Sequence, residues 1–76
     1  MKNKLRASFA EALDVSLEVV KDDLEYRGIK EWDSITHMFL IAQIEDDFEV
    51  SISPDDVIDM SSFLKALELI ERLKNG

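Results

Sequence analysis

Asp33-Ser34-Ile35-Thr36-His37-Met38-Phe39-Leu40-Ile41-Ala42-Gln43-Ile44-Glu45-Asp46-Asp47-Phe48 carries its own start signal and a helical pattern, and the fold is read outward from it. Asp33 is a good N-cap, because its carboxylate accepts the free backbone N–H groups of a first turn. Leu40, Ile41, Ile44 and Phe48 recur at i, i+1, i+4 and i+8, which is a core face of a helix. Ile35, Met38, Phe39 and Ala42 form a second stripe, rotated from the first. A chain this short has few elements to cover a helix on all sides. The second stripe is therefore expected to be exposed and to receive protein partners, with Met38 as an adaptable contact. The bland alternative is a central helix buried all round.

Leu5, Phe9, Ala12 and Leu13 place a first helix from Lys2 to Leu13. Asp14 and Ser16 suit its exit. Residues 14–31 follow as a long connection, and connections of that length are often functional. Its apolar members, Val15, Leu17, Val20, Leu24, Tyr26 and Ile29, are expected to pin it across the core, with Gly28 supplying a turn. Ser53-Pro54-Asp55-Asp56 reads as another helix start, with a serine cap, a proline at the first helical position and acids in the first turn. That helix is short and ends near Asp59. Ser61 or Ser62 caps a fourth, whose stripe is Phe63, Ala66, Leu67, Ile70 and Leu73. Lys74 suits its C-terminal dipole, and Asn75-Gly76 its stop. There is no alternating strand pattern and no internal repeat. The expected fold is an all-α four-helix bundle with three longer helices and a short third one, a long loop between helices one and two, and residues 1–76 as a single domain.

Composition narrows the function. The 76 residues hold 17 acidic and 9 basic side chains, a formal charge of -8, which repels nucleic-acid phosphates and anionic membranes. Partners with basic docking patches are expected instead, their attraction weakening as salt rises. There is no cysteine, so any thiol chemistry must come from something attached. No apolar run approaches a membrane span, and Met1-Lys2-Asn3-Lys4 leads into an amphipathic segment, which points to a cytoplasmic protein. Glu45-Asp46-Asp47 lacks the D-x-[DN]-x-[DN]-G spacing of a calcium loop, and no metal site is expected.

Ser34 stands at the start of the central helix, where three readings meet. As a nucleophile it has His37, the only histidine, three residues on and on the same face. But no G-x-S-x-G elbow surrounds it, and no group is evident to orient the base. His37 reads as a core-edge residue and Trp32 as a loop anchor packed on the bundle. The other readings are a plain helix-start serine and a serine bearing a phosphate-linked group. A phosphodiester is favoured at a helix N-terminus by free N–H groups and the positive dipole end. The residues alone leave these two open.

Asp33-Ser34-Ile35, followed by Leu40, Ile44-Glu45, Phe48 and Ile52, resembles the acyl carrier protein family. That family opens its second helix with Asp-Ser-Leu and ends this acidic helix in Glu-Glu-x-Phe. Leu13-Asp14-Val15 is similar to its Leu-Gly-Val, and Met60-Ser61-Ser62-Phe63 to its Ile-Thr-Thr-Val, so the resemblance covers nearly the whole chain. The resemblance implies a monomeric, stand-alone, non-catalytic carrier. A phosphopantetheinyl transferase would move 4'-phosphopantetheine from coenzyme A onto Ser34, and acyl-activating and acyl-transferring enzymes would use the resulting thiol to form thioesters. Asp33, Ile35, Met38, Ala42, Glu45 and Asp46 match the family's partner-contacting positions. Leu40, Ile41, Ile44, Val57, Met60 and Leu67 would line a core in which a chain can shelter.

The chain also departs from the family. Thr36 and Phe39 stand where acids are usual, Ile35 replaces leucine, Lys30-Glu31-Trp32 forms the lead-in, and Pro54 falls one place late. These changes suggest partners in a specialised lipid, polyketide or related pathway. The nearest rival is a D-alanyl or peptidyl carrier, although the peptidyl Gly-Gly-x-Ser is missing. A helical adaptor with no prosthetic group, using the Ile35/Met38/Phe39 stripe, is the rival outside the family.

Overall fold

A computed structural model describes residues 1–75; Gly76, expected as part of the last stop, lies outside the described residues. The four helices are α1 (Lys2–Leu13), α2 (Ser34–Phe48), α3 (Pro54–Asp59) and α4 (Phe63–Asn75). No strand occurs among the described residues. Side-chain caps start three of the helices. The Asp33 carboxylate accepts from Thr36 N–H at 2.9 Å, the Ser53 hydroxyl from Asp56 N–H at 3.2 Å, and the Ser62 hydroxyl from Lys65 N–H at 3.0 Å. α1 and α2 stop at Asp14 (φ 56°) and Glu49 (φ 55°), both left-handed without being glycine.

α1 packs along α2. Leu5 and Phe9 of α1, Leu40 and Ile44 of α2, and Phe63, Ala66 and Ile70 of α4 have no exposed surface. Burying a large apolar side chain fully contributes about 1.5–3 kcal/mol. Leu69 joins this core, while Leu67 and Leu73 are half-buried at its edge. Ser8 lies in the α1–α2 seam, where its hydroxyl donates to Asp47 Oδ2 at 2.5 Å. Gln43 donates to the same oxygen at 3.0 Å.

The loop between α1 and α2 is pinned, mostly as its apolar residues suggested. Val20, Leu24 and Trp32 are buried, and Val15, Tyr26 and Ile29 half-buried. Leu17 is the exception. It opens a 3-10 turn, Leu17–Val19, and is exposed. Backbone bonds also fix the loop: Tyr26 N–H donates to the Ser61 carbonyl and Phe63 N–H to that of Leu24, each at 2.9 Å. Arg6 of α1 donates to the Val20 carbonyl and pairs with Asp22 at 2.6 Å. In the turn ahead of α2 it is Arg27 that takes the left-handed conformation (φ 64°), not Gly28. Gly28 is required for a different reason, since a Cβ there would sit 2.8 Å from the Glu25 carbonyl oxygen.

Candidate functional site

The cap that starts α2 also exposes its first residue. With Asp33 extended and turned onto Thr36 N–H, Ser34 becomes the first helical residue, and its side chain faces outward. Among the described residues its hydroxyl makes no hydrogen bond within the protein. The Thr36 backbone N–H, helped by the Thr36 hydroxyl and by Ile35 N–H, holds the Asp33 carboxyl below the usual carboxylate range. That carboxylate is committed to the helix start.

His37 is committed as well. The Trp32 indole N–H donates to His37 Nδ1 at 2.9 Å, so that nitrogen carries no proton. His37 Nε2–H donates to the Val57 carbonyl, also at 2.9 Å. Both ring nitrogens are thus taken up in joining the loop to α2 and α2 to α3. Leaving the buried indole donor unpaired would cost about 1–3 kcal/mol. His37 also stacks on Trp32 (centroids 6.0 Å apart, planes 19° apart), and Tyr26 meets both rings edge-on. His37 is therefore not a free base for Ser34.

Beside Ser34 runs a groove of about 310 Å³, lined by Tyr26, Ser34, His37, Met38, Val57, Ile58, Met60 and Ser61. Two other clefts, of about 300 and 550 Å³, lie against α4 and in the loop, and neither includes Ser34. Around the groove apolar side chains face solvent: Ile35 is 68% exposed, Met38 56%, Phe39 63% and Ile58 78%. At 3.6 residues per turn Ile35, Phe39, Ala42 and Asp46 fall on one stripe, with Met38 between it and Ser34. Ala42 and Asp46 are exposed. Glu45, like Asp33, is half-buried with its carboxylate engaged: it accepts the Ile52 N–H at 2.8 Å, anchoring the segment between α2 and α3.

The family described as "Phosphopantetheine attachment site" matches residues 3–70. The chain belongs to that family. Phosphopantetheine attachment domains hold 4'-phosphopantetheine covalently on a serine, and they are carriers that meet a phosphopantetheinyl transferase and biosynthetic enzymes. A comparison with curated proteins finds no match. The residues around Ser34 fit the group. An exposed hydroxyl on the first turn of a helix suits a phosphodiester, and the adjoining apolar groove gives a flexible arm a surface to lie on. Among the described residues, no helix is long and apolar enough to cross a membrane, and no cluster of three or more His, Asp or Glu side chains is set to hold a metal.

Sequence reasoning did not bring Tyr26, Ile58 or Ser61 to this site. Ile58 carried a usable signal, an aliphatic residue between acids on a helix too short to bury every side. Tyr26 and Ser61 carried none, because backbone pairing between two loops brings them together.

Proposed function

We propose that this chain is an acyl carrier, holding acyl groups as thioesters on 4'-phosphopantetheine attached to Ser34, in a specialised lipid, polyketide or related biosynthetic pathway. The observation that carries the reading is the position of Ser34. Its exposed hydroxyl opens α2, rimmed by exposed Ile35, Met38 and Phe39 and adjoining the groove, in a chain of the phosphopantetheine attachment family. The attached group supplies the thiol that this cysteine-free chain lacks. The protein's own part is to present Ser34 and to dock enzymes.

Ile35, Met38 and Ala42, flanked by Asp33 and Asp46, form the partner face, and basic patches on the transferase and acyl-handling enzymes meet the acids. Glu45 acts there by holding the end of α2 in place. The chain itself catalyses nothing, which the full engagement of His37 supports. It works as a cytoplasmic monomer, residues 1–76 forming one carrier domain.

Intact-mass spectrometry after incubation with coenzyme A and a broad-specificity phosphopantetheinyl transferase tests the assignment. The parent is expected to gain one phosphopantetheine and Ser34→Ala none, with unchanged helical circular dichroism. A well-folded parent that gains nothing from several transferases would instead favour an adaptor without a prosthetic group.

A further inference from the structure

The groove beside Ser34 ends against a wall of rings. Tyr26 and His37 line it, and Trp32 lies directly behind both. Trp32 has no exposed surface, and Phe9 fills the space beyond, edge-on to Trp32 at 5.2 Å and edge-on to Phe63 at the same distance. The wall is locked by hydrogen bonds as well as by packing. Trp32 binds His37, and His37 binds the Val57 carbonyl of α3, so one relay ties the loop, α2 and α3 across the inner side of the groove.

We infer that Trp32, held by His37, is a specificity-determining residue that closes the bundle interior to cargo. The carrier therefore takes short acyl groups and presents them at the surface instead of sheltering a long chain inside. The inference rests on Ser34 as the attachment position. A long chain pushing inward between α2 and α3 must part His37 from Val57, strip the indole N–H of its acceptor and separate three aromatic pairs. Close-packed interiors hold no spare volume for such an insertion, and a buried donor left without a partner opposes it further. An acetyl or butyryl group asks for none of this, because the groove already lies outside the wall.

The test is to load the protein from acetyl-, butyryl-, octanoyl- and dodecanoyl-coenzyme A with a phosphopantetheinyl transferase, and to confirm each product by intact mass. Hydroxylamine cleavage of each thioester is then compared with that of the matching free acyl-pantetheine. Cleavage of all four is expected within about twofold of the free compounds, since the population of any sheltered state stays small. The Trp32 indole and Ile44 methyl resonances are expected to be the same in all four forms. Protection that grows to about tenfold with the longer chains, with shifts at Trp32 and Ile44, would overturn the inference and leave the carrier assignment standing. Failure to load any acyl group would overturn the attachment position itself. Trp32→Leu is expected to create length-dependent protection that the parent lacks. Should that variant not fold, the measurements on the parent decide alone.

Discussion

The two faces of α2 carry nearly the same side chains and meet opposite fates. Leu40, Ile41 and Ile44 are at most 4% exposed, whereas Ile35 and Phe39, one or two turns away, are more than 60% exposed. Hydrophobicity does not separate Ile35 from Ile44. What separates them is the neighbour: α1 and the aromatic core lie against one face, and the short α3 leaves the other open. An uncovered apolar stripe weakens solubility, and the charge of -8 offsets that by keeping copies apart. The position of such a stripe beside an exposed serine is what gives it functional meaning.

The largest expected effect lies on the covered face. Ile44→Ala removes a side chain with no exposed surface and should destabilise the fold by about 2–5 kcal/mol. Urea melts check this, as a lower midpoint with an unchanged slope. A cost well below 1 kcal/mol would mean that the two faces differ less than their burial says.

The open face should answer in the opposite way. Phe39→Ser or Met38→Ser is expected to leave stability within about 0.5 kcal/mol of the parent. Loading by the transferase should suffer, with kcat/KM falling about tenfold if either side chain is a contact worth about 1.4 kcal/mol. Normal loading with a collapsed midpoint would reverse the roles assigned to the two faces.

These faces were legible in the sequence because period and chain length both bear on them. The helix starts at Asp33 and Ser53-Pro54 were legible too, and the last one to within Ser61 or Ser62, of which Ser62 is the cap, since a cap is a local interaction between residues three apart. The ends of the first two helices, Leu13 and Phe48, were legible in position but not in backbone conformation. Asp14 and Glu49 adopt left-handed conformations that their side chains do not announce, and the turn ahead of α2 gives its positive φ to Arg27 while Gly28 answers a close backbone approach. The relay from Trp32 through His37 to Val57 was out of reach, because it joins a loop and two helices that only tertiary packing brings together. Trp32 could be read as an anchor and His37 as a core-edge residue, but not that each would hold the other. Glu45 shows a similar limit, for nothing in an acidic run says which carboxylate turns inward.

The smallest effect lies on the flank between the two faces, where α2 meets α1 through polar groups. Ser8→Ala removes the hydroxyl that donates to Asp47 and should cost about 1 kcal/mol near neutral pH. The Ser8 hydroxyl, and after it the Gln43 amide, holds the Asp47 carboxyl below its ordinary value of 3.8. The folded state therefore binds a proton there less readily than the unfolded chain. This contribution is complete above the unfolded value and is lost as pH falls through the lower, folded one. Asp22, Asp33 and Asp56 shift in the same direction, through Arg6, Thr36 and Arg72 respectively, so the parent should also lose stability below about pH 4. The gap between parent and Ser8→Ala should accordingly be widest near about pH 7 and should narrow as pH falls through about 3 and below, as folded Asp47 takes up its proton at its lowered value. Urea melts of the pair across that range measure it. A gap that stayed constant into acid would assign the role of Ser8 to packing in the seam, with no contribution from its bond to a charged carboxylate.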